Sequence, residues 1–156
     1  MARLNVGRGL EEYLSQLGNL EFYAEEQIGK AIYYGADIVA DAVKEAIDTI
    51  PSRENGSAKG IYEDQRKGLK DGMGIARMRN DNGYFNVSIG FDGYNTHATK
   101  TYPKGQPNAM IARAMERGTS FAPKSPFVNK AVNRVKQKAE EKMQETLDKE
   151  IKKTMN

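Results

Sequence analysis

The sequence predicts an α+β fold, with a long N-terminal helix and a C-terminal helix packed on a small antiparallel β-sheet. Three observations lead there. Two stretches, one ending near Asp48 and one opening near Pro126, repeat apolar residues every three or four positions, the period of a helix with one buried face. Between them Phe85, Val87, Ile89 and Phe91 alternate with Asn86, Ser88 and Gly90, the period of a half-buried strand. Just before that strand stands Asp81-Asn82-Gly83, and Asn-Gly between extended runs signals a tight hairpin. Amphipathic helices covering one face of such a sheet make a single domain, and 156 residues suffice for its core.

Taken in order, a short helix is expected over residues 9–17, closed by Gly18-Asn19 as a C-cap signal. Residues 20–48 contain neither proline nor a turn dipeptide. Ile28, Ile32, Gly35, Val39, Ala42, Ala46 and Ile50 mark one face, and Pro51-Ser52 ends the helix. Gly35 lies on that stripe, which predicts a close approach of another element to the backbone there. Residues 52–70 are polar and aperiodic and are expected to form a long mobile loop. Residues 72–80 and 84–91 then form the two arms of the hairpin, and residues 92–108 a second polar loop broken by Pro103 and Pro107. The segment 109–115 reads as a short helix from its Ala and Met content, or as a strand from its brevity. Ser125-Pro126 supplies an N-cap and a proline at the first helical position. The terminal helix follows over about 126–153, with Val128, Val132, Val135, Ala139, Met143, Leu147 and Ile151 on one face. Its last third is highly charged and reads as a piece that frays or reaches a neighbour. The core is expected where Ile28, Ile32, Val39 and Ala46 meet Phe85, Val87, Ile89 and Phe91.

Composition narrows the classes. With 29% charged residues and 38% apolar ones, no run approaches the roughly 18 to 20 apolar residues of a membrane-spanning helix. The first residues lack the apolar core of a signal peptide, and the absence of cysteine removes disulfides, thiol nucleophiles and thiolate metal sites. Together these point to a chain assembled inside a cell. The net charge of +3 is uneven: residues 1–50 carry nine acids and four bases, residues 51–123 seven acids and eleven bases, residues 124–156 five acids and nine bases. Such polarity suits stacking on complementary neighbours or facing nucleic acid, and it also describes an ordinary solvated surface.

Catalytic patterns are missing. The single histidine, His97, lies in a polar loop without partners for a metal site and reads as an exposed loop residue. No G-x-S-x-G elbow occurs, and Gly72-Met73-Gly74 lacks both the ending of a phosphate loop and the third glycine of a dinucleotide fingerprint. The expectation is a non-enzyme with no cofactor and no metal. Arg77 and Arg79 on the first hairpin arm, with Lys100 and Lys104 near Tyr94 and Tyr102, form a candidate surface for non-specific DNA contact. The same residues also fit a solvated interface, since no helix-turn-helix, zinc-finger or ribonucleoprotein pattern accompanies them.

The densest punctuation lies between the last two helical segments. Glu116-Arg117-Gly118-Thr119-Ser120 closes the first, Ala122, Pro123, Lys124, Ser125 and Pro126 form a stiff crossing, and Phe127 opens the terminal helix. E-x-G-T-S, an Ala/Pro pair, P-F and a charged helix, following an Ala/Ile/Val-rich helix that ends at Ile50-Pro51 and a hairpin, resemble the neck and tail-completion family of long-tailed phages, the gene-product-ten-like proteins. One departure is the insert 52–70, where that family has a short T-G-x-L segment. The resemblance implies a virion structural protein that completes the tail or joins it to the head. It implies a homo-oligomeric ring beside tail-tube or tail-terminator and head-connector proteins, assembled in the bacterial host cytoplasm. Glu116, Arg117, Gly118, Thr119, Ser120, Lys124, Pro126 and Phe127 then become candidate assembly residues. The other reading of this segment is a connector that works only within its own chain. The rival from another class is a small basic DNA-binding protein.

Overall fold

The computed structural model describes residues 25–54 and 57–155. Their elements run α1 (Glu25–Ile47), α2 (Glu63–Gly72), β1 (Met73–Ile75), β2 (Arg79–Asp81), β3 (Tyr84–Asn86), β4 (Ile89–Phe91), α3 (Asn108–Arg117) and α4 (Phe127–Met155). The fold is α+β, with helices flanking a small antiparallel sheet, in agreement with the sequence. The helix expected over 9–17, and the start of the one expected from residue 20, lie outside the described residues.

The stripe on α1 is buried as the spacing requires: Ile28, Ile32, Val39, Ala42, Val43 and Ile47 are all closed to solvent, and Ile50 just beyond joins them. Its chief partner, however, is α4 and not the strands. Ala46 and Phe85, both placed in the core by the sequence reading, are only partly buried. The reason is size. Strands of three residues span about 10 Å, whereas a 23-residue helix runs about 35 Å and needs a partner of its own length. Helix α4 provides it through Val128, Ala131, Val135, Ala139, Met143 and Leu147. The pair is antiparallel. Arg134 near the start of α4 meets Glu45 at the end of α1 (3.3 Å), and Glu150 near the end of α4 meets Lys30 at the start of α1 (3.6 Å). The last third of α4 therefore stays on the body, contrary to the expectation that it frays or departs. Gly35 packs directly against Met143 of α4: a Cβ there would lie 2.5 Å from Met143 Cγ.

The hairpin turns at Asn82-Gly83, whose φ values of 56° and 89° are those of a two-residue primed turn. Its arms are not continuous strands, which corrects the expected pairing of 72–80 with 84–91. β1 pairs with β4 (Met73 opposite Phe91, Ile75 opposite Ile89), and β2 pairs with β3 (Arg79 opposite Asn86, Asp81 opposite Tyr84). Between them three residues, Ala76, Arg77 and Met78, face two, Val87 and Ser88, so the first arm carries a bulge. The Met78 N–H leaves the ladder and donates to the Tyr33 hydroxyl of α1 (2.6 Å). The bulge divides the sheet into two two-stranded pieces.

The loop expected over 52–70 is corrected across its second half, which forms all but the last two residues of α2. Three features make that helix. The Gln65 side chain accepts the Tyr62 N–H (2.9 Å), Glu63 and Asp64 occupy the positive N-terminal turn, and Leu69 is fully buried with Ile61 just upstream. Arg66 then closes the end of α1. Its guanidinium donates to the carbonyl oxygen of Ile47, the last residue of α1, which also accepts the Ile50 N–H (3.3 Å), and to that of Ile50 just beyond, and it reaches Ser52 (3.2 Å) and Glu63 (3.3 Å). The 109–115 segment, open between helix and strand in the sequence, is helical within α3.

Candidate functional site: the connector between α3 and α4

Residues 116–127 divide by direction. Glu116 turns inward along the chain. Its two carboxylate oxygens accept the N–H groups of Val128 and Asn129, each at 2.9 Å, so it caps the first turn of α4. This corrects the expected Ser125 cap: the Pro126 carbonyl starts the helical ladder by accepting from Lys130 (3.1 Å), and the side-chain cap comes from eleven residues before the helix. An anion there satisfies two orphan donors and meets the positive end of the helix dipole. Gly118 ends α3 with φ 76°, a conformation glycine adopts at no steric cost, and its N–H donates to the Ala114 carbonyl (2.9 Å). Thr119 builds the next turn: its hydroxyl accepts from the N–H groups of Phe121 (3.2 Å) and Ala122 (3.0 Å), and its own N–H donates to the Ala122 carbonyl (2.9 Å). Ser125 is tied to Met115 through its N–H. Phe127 is buried and meets Phe91 of β4 edge to face at 5.9 Å.

Glu116, Gly118, Thr119 and Phe127 thus serve the fold of their own chain. The outward set is Arg117, Ser120, Phe121, Pro123 and Lys124, all exposed. Phe121 was not singled out by the sequence and is the most exposed large apolar side chain among the described residues, at 85%. The signal was there in principle. An aromatic between Ser120 and Ala122-Pro123, inside a turn closed by Thr119, has no helix or strand face to point into.

The candidate DNA-contacting residues are all exposed, but they sit in different settings. Arg79 pairs with Asp81 across the hairpin end (3.3 Å). Arg77 lies on the bulge and lines a groove along α1 with Glu26, Gly29, Lys30, Tyr33, Tyr34, Asp37 and Met78. The groove has a volume of about 610 Å³, and carboxylates and cations share its rim. Lys100 and Lys104 belong to the loop between β4 and α3.

That loop also corrects the reading of His97. The ring is partly buried, stacked on Tyr62 at 4.5 Å with an interplanar angle of 13°, and its Nδ1 lies 3.0 Å from the Asp64 carboxylate. The Arg53 guanidinium also lies over the Tyr62 ring, 5.4 Å from its centroid. Asn95 ties the loop together, its Oδ1 accepting the N–H groups of His97 and Gln106 (both 2.9 Å). This cluster joins α2 to the 92–107 loop.

Among the described residues no group of three or more His, Cys, Asp or Glu side chains could hold a metal ion, and no helix is long and apolar enough to cross a membrane. No family model, curated protein or solved structure matches the chain.

Proposed function

We propose that this chain is a non-enzymatic structural subunit of the neck or tail end of a phage or prophage-derived virion, a ring-forming protein that completes the tail or joins it to the head. The observation that carries this reading is the connector. Its inward residues fasten a rigid turn to the α3 and α4 ends, and that turn holds an exposed aromatic between two exposed cations, Arg117 and Lys124. A buried aromatic anchor with flanking charges is the usual chemistry of a protein interface. The E-x-G-T-S and P-F elements that resemble the phage family are the residues that build this turn.

Reversing both cations, Arg117→Glu with Lys124→Glu, tests the reading. The variant is expected to fold with an unchanged melting temperature and to fail in forming complete tails. Infectious particles at ordinary titre would overturn the assembly role. The rival class has its own outcome: a salt-dependent DNA shift lost on substituting Arg77, Arg79, Lys100 and Lys104, with assembly intact, would favour DNA binding.

A further inference from the structure

We propose that the Phe121 turn of one copy docks into the α1 groove of the next, so that the subunits join head to tail. This rests on the ring-forming reading above and names its two surfaces. The turn presents Phe121 at 85% exposure, and the three hydrogen bonds around Thr119 hold it in place. The groove offers what an aromatic side chain packs on: Tyr34, itself 51% exposed, Tyr33 and Met78. The bond from the Met78 N–H to the Tyr33 hydroxyl fixes one wall, so the groove is preformed.

Charge agrees with shape. Arg117 and Lys124 flank the aromatic, and the groove rim carries the carboxylates of Glu26 and Asp37. Among the described residues three cations lie at the groove: Lys30 is held by Glu150, and Lys142, over one face of the Tyr34 ring at 5.8 Å, is paired with Glu145 (3.9 Å). That leaves Arg77 against the carboxylates of Glu26 and Asp37 for an incoming pair of cations.

Position decides between a contact within one chain and one between copies. The turn leads into Phe127 at the start of α4, beside the end of α1, because Arg134 pairs with Glu45. The groove lies along the first half of α1, beside the end of α4, because Lys30 pairs with Glu150. From Ile47 back to Tyr34 and Tyr33 the helix runs about 20 Å at 1.5 Å per residue, beyond the reach of a phenylalanine side chain fixed in that turn, so Phe121 cannot reach its own groove. Two complementary patches at opposite ends of one molecule make a heterologous contact, which generates a ring when its rotation closes.

The experiment is mass measurement by sedimentation on the full chain. Wild type is expected as an oligomer, and Phe121→Ser and Tyr34→Arg each as a 17.4 kDa monomer. Each variant keeps one intact surface, so an equal mixture of the two is expected to stop at a dimer. Because the chain has no cysteine, Phe121→Cys combined with Tyr34→Cys provides a second readout: oxidation should give a ladder of linked chains. A wild type that stays monomeric would overturn the ring reading and this pairing together. A wild-type oligomer that both variants leave intact, a mixture that stays monomeric, or a double-cysteine chain that forms no ladder would overturn the pairing alone.

Discussion

Removing the Glu116 carboxylate tests whether a residue in one helix holds the start of another. In Glu116→Ala the N–H groups of Val128 and Asn129, each now bonded at 2.9 Å, lose their acceptor. Loss of a helix N-cap costs about 0.5 to 2 kcal/mol, and the interaction of an anion with the helix N-terminus adds about 0.3 to 1 kcal/mol. Val128 is buried, which limits replacement by water, whereas Asn129 is exposed and can be rehydrated. The sum is therefore expected near the middle of the combined range, about 2 kcal/mol. For a domain of this size that corresponds to a fall in Tm of about 4 to 8 °C. Glu116→Gln should lose less, because its amide oxygen can still accept one N–H while its NH2 group faces the other donor. The assay is thermal and urea unfolding followed by circular dichroism, with the urea slope checked for constancy. A Glu116→Ala chain with unchanged Tm and midpoint would refute the capping role. Equal losses for Ala and Gln would show that the two-point acceptor geometry, rather than the cap alone, carries the stabilisation.

Three further outcomes follow from the core and its closure. Gly35→Ala should destabilise by about 1 to 2 kcal/mol despite alanine's better helix propensity, because its Cβ would sit 2.5 Å from Met143 Cγ. Combining it with Met143→Ala should cost less than the two single losses summed, and strict additivity in urea unfolding would contradict the contact. Arg66→Met should cost about 2 kcal/mol by removing the guanidinium donor to the Ile50 carbonyl and to the Ile47 carbonyl, which keeps only the Ile50 N–H, and Arg66→Lys should recover little of it, as read by Tm. The Ser52 hydroxyl, followed by Arg66, holds Glu63 below its ordinary value of 4.5, so its contribution is present above that pH and is lost as pH falls through the lowered folded-state value. Glu63→Gln should therefore flatten part of the acid limb of a Tm-against-pH curve below pH 4.5, and an unchanged limb would refute it.

What the sequence determined by itself is local. The period of three and four in α1 and α4, the Asn82-Gly83 turn, the positive φ at Gly118 and the small residue at Gly35 each depend on a few adjacent positions, and each is present in the structure. The tertiary structure decided which surfaces meet. Helix α2 escaped notice because its stability comes from Ile61, Leu69 and the Arg66 cap on a distant helix end, while its own composition is polar. The bulge at Ala76–Met78 depends on Tyr33, 45 residues away, and no pattern within the arm reports it. The partner of α1 was misassigned because an apolar stripe states that a face is covered without stating by what. Only the relative lengths of α4 and the strands settle that. In the connector, the resemblance to the phage family marked Glu116 and Phe127 as special but not that both turn inward. The helix N-terminus that needs an anion and the Phe91 ring that needs a neighbour come together only on folding, and they leave Phe121 as the side chain that faces out.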